Sequence, residues 1–243
     1  MKILLAPSET KQKGGSAKFD LSNLFCSKLN PTREILLSRY EEIVSNGGDD
    51  MIDMFGLKKE SDITRYKKSL VDSPTLPAIC RYTGVAFDYL DFESLPDDSK
   101  EYIYSNVIIF SNLFGVVLAS NLIPDYRLKQ GKSIGSLQPE KIYNKALKEV
   151  LDDFFKDEEI LDIRANYYNK FYKPKTVTTL KFLKDGKVVS HWAKAYRGLI
   201  LKELAKQKIK SIDEFLKLPI EGLELLEIHQ SKTKKEIIYN ITI

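Results

Sequence analysis

The stretch Thr176–Gln207, TVTTLKFLKDGKVVSHWAKAYRGLILKELAKQ, changes its period part-way along. Two β-rich runs flank Lys184, Asp185, Gly186 and Lys187, and Asp-Gly between such runs is a strong short-range signal for a β-hairpin. After Trp192 the apolar residues Ala193, Tyr196, Leu199, Ile200 and Leu204 recur at helical spacing. A chain that must place a hairpin directly before an amphipathic helix cannot be all-α or all-β.

The rest of the chain repeats this alternation. KILLA (2–6) is a short apolar run stopped by Pro7, as a buried first strand would be. TREILLSRYEEIVSNGG predicts a helix with Ile35, Leu36, Tyr40, Ile43 and Val44 on its apolar side, ended by Gly47. LPAICRYTGVAFDYL reads as helical around Tyr82 and Gly84, and a short helix is expected over 99–105. NVIIFS (106–111) and EILDIRA read as buried strands, PDYRLKQG as a loop or edge strand, and PEKIYNKALKEVLDDFF as a helix. SIDEFLKL is a short helix opened by Ser211, and LELLEIHQSKTKKEIIYNITI suggests two last strands, although LELLE alone could be helical. The fold class expected is α/β (α+β): a mixed sheet with surrounding helices and a late β-hairpin.

The 243 residues, 43% hydrophobic, suffice for a sizeable core. They are read as one domain over 1–243, with two intimately packed lobes as the alternative. VIIFSNLFGVVLASNLI is broken by Ser and Asn and falls short of the roughly 18 apolar residues a spanning helix needs, so no membrane is expected as a partner. MKILLAPSETK does not read as a signal peptide, and Cys26 and Cys80 lack CxxC spacing, which together suggest a reducing interior. Two His and two separated Cys leave little material for zinc, while carboxylate-bound magnesium stays open. Neither GxGxxG nor GxxxxGK[ST] occurs, so neither common nucleotide fingerprint is present.

The net charge of +4 hides an asymmetry. Arg164 to Lys210 holds 13 Lys or Arg against only Asp185 and Glu203, a balance of +11 that leaves −7 for the remainder. A basic block on a mildly acidic body suits a protein that meets a polyanion; the plain alternative is a solvated Lys-rich face.

Candidate site residues cluster at element ends. In SHWAKAYRG a cap at Ser190 would leave backbone N–H groups aimed at an anion, with Lys194 and Arg197 three positions apart to bind it. The plain alternative there is that Trp192 and Tyr196 pack while the cations snorkel. LDIRANYYNKFYKPK interleaves Tyr167, Tyr168, Phe171 and Tyr172 with lysines behind Arg164, a pattern used on nucleic acids and equally an ordinary packed face. PDYRLKQGK offers Arg127, Lys129 and Lys132 in a glycine-containing loop. PSETK offers Ser8, Glu9, Thr10 and Lys11 beside the first strand. No Ser/His/Asp triad can be assigned, and His229 reads as structural.

Taken in order, these segments resemble the YaaA family of bacterial peroxide-stress proteins. LLAPSETKQKGG resembles the family's LLPPSETK-GG, RYTGVAF its YxG segment, and SNLFGVVLASNLIPDYRLKQG its SGLFGVVRPxDxIPxYRLKMG. LDIRANYYNKFYKP is similar to DLRSxxYxxxxxP and SHWAKAYRGLILKEL to SxxAKxxRGxxxR, collinear from Met1 to about Leu204. Departures are Asn112 for a Gly, Ala119-Ser120 for an Arg-Pro, and Lys202 two residues short of a later Arg. SIDEFLKLPIEG resembles a helix-hairpin-helix hairpin whose Pro-Gly-apolar-Gly core is interrupted by Ile220 and Glu221.

The resemblance implies a cytoplasmic protein that protects against hydrogen peroxide by limiting free iron, on an α/β fold of its own type with a basic cleft, in a family with a DNA-binding member. It implies site residues at Ser8, Thr10, Lys11, Tyr82, Arg127, Lys129, Arg164, Tyr168, Lys194 and Arg197. The leading expectation is DNA binding, duplex or structured, mediated by the phosphate backbone. The alternative is an enzyme acting on a small anionic, nucleotide-like substrate in a Lys/Arg-lined pocket. Catalysis is left open with a binding role favoured, and no cofactor is expected.

Overall fold

The structure is a computed structural model that describes residues 1–242. Its strands are β1 (Lys2–Leu5), β2 (Ala17–Lys18), β3 (Pro74–Pro77), β4 (Val107–Ser111), β5 (Gly115–Leu118), β6 (Leu122–Pro124), β7 (Ile160–Asp162), β8 (Val177–Lys184), β9 (Lys187–Val188), β10 (Leu223–Gln230) and β11 (Lys234–Ile241). Its helices are α1 (Asn30–Asn46), α2 (Gly48–Phe55), α3 (Glu60–Tyr66), α4 (Ala78–Arg81), α5 (Val85–Leu90), α6 (Asp97–Asn106), α7 (Pro139–Phe154), α8 (His191–Gln207) and α9 (Ile212–Phe215).

The main sheet is 8-stranded, in the order β10-β11-β8-β7-β1-β4-β5, with β9 paired to β8. β4, β1, β7, β8 and β11 are mutually parallel, whereas β5, β9 and β10 run antiparallel to their neighbours. A 3-stranded antiparallel sheet, β2-β3-β6, lies apart from it. The mixed α/β expectation therefore holds.

β1 and β4 are the middle of the core because every apolar residue in them is buried, with Ile3, Leu4 and Val107 to Phe110 at 0% exposure. Continuous apolar runs of this kind are what strands covered on both faces require. Arg33 is fully buried beside them and is satisfied entirely by oxygens, donating to the carbonyls of Phe25, Cys26, Phe114 and Val116 and to Asn30 Oδ1. It ties α1 to the β4–β5 hairpin.

The hairpin expected at Lys184–Lys187 is present, with both turn residues at positive φ, Asp185 at 51° and Gly186 at 72°. Its second strand is only two residues long, because Val189 bonds back to Phe182 and the chain then enters α8. Three local expectations are corrected. LPAICRYTGVAFDYL is two short helices rather than one, split where Gly84 takes φ 101°, ψ 178°. Ile35 points to solvent at 57% exposure, although Leu36, Tyr40, Ile43 and Val44 are buried. SIDEFLKLPIEG runs from α9 through a turn into β10, so a strand stands where a helix-hairpin-helix would need its second helix. LELLE is part of that strand.

Candidate functional site

Relabelled in chain order, the five parallel strands lie 2-1-3-4-5, and the connections leaving β1 and β7 diverge to opposite sides. In open sheets that crevice, at the carboxyl ends of the strands, is where ligands bind. Here it is lined by the loop after β1 (Ser8, Glu9), the segment after β7 (Ile163, Tyr168), the start of α5 at Gly84, and Lys194 and Arg197 of α8. The cavity measures about 420 Å³.

Local geometry explains how these groups come together. Ser8 Oγ lies 3.1 Å from Thr10 Oγ1 and accepts from the Thr10 amide at 3.2 Å, while Thr10 Oγ1 donates to the Thr83 carbonyl at 3.1 Å. That stitches the β1 loop to the turn before α5, and both hydroxyls stand 3.3–3.4 Å from where a side chain on Gly84 would begin. Gly198 brings α8 onto α5, since a Cβ there would sit 2.1 Å from the Ala86 carbonyl oxygen. The two helices meet backbone to backbone, and this seats Lys194 and Arg197 over the cavity.

Lys194 is exposed and Arg197 half-buried, and neither side chain makes an ion pair or hydrogen bond among the described residues. Burial lowers the Arg197 pKa, and the field of Asp162 only partly opposes this. Ser190 occupies the N-cap of α8 but makes no side-chain capping bond, so the first-turn amides lack that partner. Trp192 is half-buried under Lys184, whose Nζ lies 5.0 Å from the ring centre.

The other expected site residues are committed elsewhere. Arg164 is buried and grips Asp162 with two bonds of 2.8 and 2.6 Å, donates to the carbonyls of Tyr168 and Tyr172, and lies over the Phe110 ring. Arg127 holds Glu9 Oε2 at 2.7 Å and the carbonyls of Glu9 and Phe55. Lys11 is 5% exposed, donates to the Ser8 and Glu9 carbonyls at 3.3 and 3.4 Å, and lies 4.1 and 5.2 Å from the Tyr126 and Tyr82 ring centres. Burial, then Arg127, lower Lys11 from 10.5 to about 7, against the raising pull of Asp125 and Glu9. Tyr82, Tyr126 and Ser111 form a buried hydroxyl chain with 2.8 Å links. Tyr168 is buried in the cavity wall, and burial holds its hydroxyl well above 10. Lys129 is exposed, its stem packed over Gly56. Of the ten residues expected, Ser8, Tyr168, Lys194 and Arg197 line the cavity, while Thr10, Lys11, Tyr82, Arg127 and Arg164 build its supports.

Arg197 also walls a second cavity, of about 470 Å³, with Lys173, Lys181, Lys234 and Glu236. The basic block itself divides in two. Lys202 pairs with Asp91 at 3.0 Å, Lys206 with Glu203 at 2.9 Å, and Lys208 with Asp98. Lys173, Lys187, Lys194 and Arg197 have no such partner among the described residues. The aromatic stacking surface expected over 167–172 is not available, because Tyr168, Phe171 and Tyr172 are buried.

Residues 1–228 match the family described as peroxide stress protein YaaA. The chain belongs to that family. It is 43% identical to a Campylobacter jejuni protein described as uncharacterized, over 99% of both chains. A UPF0246 protein of Corynebacterium glutamicum is 34% identical over 84% of this chain and 85% of its own. A Fusobacterium nucleatum UPF0246 protein is 26% identical over 93% of each. This chain's PSETK, YRLK, DIR and AKAYRG segments are the ones that meet around the β1/β7 crevice. Asn112 carries a buried Oδ1 without a hydrogen-bond partner among the described residues and lies against Tyr168. No helix among the described residues is long and apolar enough to cross a membrane.

Sequence spacing did not single out Glu9 from its neighbours. It clamps the β1 loop to Arg127, 118 residues away, and its Oε1 accepts from the Gln130 amide at 3.1 Å. Only the fold brings those segments together.

Proposed function

We propose that this member of a peroxide stress family binds the phosphate backbone of nucleic acid along a path that joins the two cavities. One observation carries the reading: Arg197 walls both and has no ion-pair or hydrogen-bond partner among the described residues. Lys173, Lys187 and Lys194 extend the unpaired charge to either side, along the hairpin and the first turns of α8. Backbone contacts of this kind favour nucleic-acid shape over sequence. Protection against peroxide in the cytoplasm, with less free iron, belongs to the same reading as the setting in which DNA would be bound.

Four phosphates neutralised by Lys173, Lys187, Lys194 and Arg197 give a log–log salt slope near −3.6, so affinity for a short duplex falls about 100-fold between about 50 and 200 mM salt. Fluorescence anisotropy with a labelled duplex and with a junction measures this. Folded protein that binds neither at low salt sinks the proposal.

A second reading has its own support. The 420 Å³ cavity sits at the strand-order crevice and combines two cations, unpaired among the described residues, with Ser8 and Glu9, a setting for one phosphorylated small molecule acted on by the loop after β1. Charge reversal separates the two. Lys187→Glu weakens a polyanion path and leaves a pocket ligand unaffected, whereas Lys194→Glu weakens both.

A further inference from the structure

β10 is the outer strand of the main sheet and, among the described residues, pairs only with β11. It is eight residues long, contains neither Pro nor Lys, and is exposed from Glu224 to Gln230. Long, unblocked edges with apolar side chains are templates for another strand. Leu225, Leu226 and Ile228 are 42%, 51% and 38% exposed.

The register decides which faces these residues occupy. Leu225 lies opposite Tyr239 and Ile228 opposite Ile237, so both share the face on which Tyr239 meets Phe182 and Phe215. Glu224 lies opposite Asn240, Glu227 opposite Ile238 and His229 opposite Glu236, so these three share the other face. A bulge between Leu225 and Glu227 makes this possible, because the extra residue shifts the alternation by one. One face of β10 is thereby apolar at positions 223, 225 and 228, while the other carries two carboxylates and a histidine.

We propose that two copies of this chain associate edge to edge through β10, antiparallel about a two-fold axis between Leu226 and Glu227. Directly opposed residues on paired strands must share a face. Among two-fold registers near the strand centre, one satisfies this and also opposes unlike groups. It places Leu225 opposite the partner's Ile228 and Glu224 opposite the partner's His229. A shift by one residue sets apolar faces against charged ones, and a shift by two sets Glu224 against the partner's Glu227 in one direction and Glu227 against the partner's Ile228 in the other. His229 Nε2 already lies 2.6 Å from Glu227 Oε1 in its own strand. His229 would then stand between that carboxylate and the partner's Glu224, with Glu236 on β11 as the other carboxylate near it.

Sedimentation of the full chain from about 1 to about 300 µM tests this, a range suited to a small edge interface. The expected result is a mass rising from 27.9 kDa towards twice that value. The double variant Leu225→Lys, Ile228→Lys alters exposed positions only and should stay at 27.9 kDa throughout, with an unchanged circular dichroism spectrum. Glu224→Lys should weaken association about tenfold, and Glu224→Lys combined with His229→Glu should recover part of it by restoring opposite charges across the axis. A wild-type chain that stays at 27.9 kDa across the range overturns the proposal, as does a dimer indifferent to the Leu225/Ile228 double variant.

Discussion

Replacing Gly198 by Ala tests how the cavity is assembled. The Cβ of the new residue would lie 2.1 Å from the Ala86 carbonyl oxygen, and 3.0 Å from both the Ala86 carbonyl carbon and the Leu90 nitrogen. All three atoms are backbone, so no side chain can swing aside, and α5 and α8 must part by about 1 Å to reach an ordinary contact. Overpacking of this kind costs about 1–3 kcal/mol, and a rigid backbone neighbour puts the value near the top of that range. Alanine returns about 1 kcal/mol in helix propensity. Gly198 is not at positive φ, so no strain term is added. The net loss of about 2 kcal/mol lowers the melting temperature by about 4–8 °C for a chain of this size. Because Ala86, Lys194 and Arg197 all line the cavity, the same displacement weakens anion binding. Urea and thermal melts, read beside duplex anisotropy, check both halves. A Gly198→Ala protein that melts at or above the wild-type temperature refutes the close-approach account, and Gly198→Val must be worse than Gly198→Ala.

Other perturbations separate supports from contacts. Arg164→Met leaves Asp162 buried without its partner and should cost about 3–5 kcal/mol, with Asp162→Asn in the same chain recovering part of it in a denaturant titration. Lys194→Glu should reduce duplex affinity more than tenfold, whereas Lys206→Glu, at a cation already paired with Glu203, should change it less than about threefold under the same salt. Lys11 is the pH probe. With its folded value near 7 and a reference of 10.5, the unfolded chain binds more protons between those limits, so this group makes stability rise with pH across that window and adds no slope below it. Lys11→Met should remove that rise, and parallel stability–pH curves for the two proteins from pH 6.5 to 10 would show the lysine to be charged in the fold.

Much of the architecture was legible because period and punctuation agree. Asp185-Gly186 fixed a hairpin, Pro7 ended β1, and an unbroken apolar run marked β4. The pattern failed where a single backbone angle governs: Gly84 breaks a helical repeat that continues on both sides of it. For the site, sequence found the right segments without sorting their cations. Arg127 and Arg164 look as available as Arg197 in the string. Yet Arg127 meets a carboxylate from a loop 118 residues away and Arg164 one from two residues before it, while Arg197 meets none among the described residues. Charge counting gave a block of +11. It could not reveal that Asp91, Asp98 and Glu203 neutralise its later half, since two of those acids come from α6 and the turn after α5.

The position of β1 in the sheet also governs how the chain is made. β1 is flanked by β4 and β7, whose pairing residues begin at Val107 and Ile160. At roughly 5–20 residues per second, a nascent chain synthesises Leu4 about 5–20 s before its first neighbour exists and still longer before its second. During that interval KILLA is an apolar strand with both edges open. Long-range parallel pairing is slow in any case. Substitutions that spare the finished fold but add apolar character near β1 should therefore lower the yield of soluble protein while leaving its melting temperature unchanged.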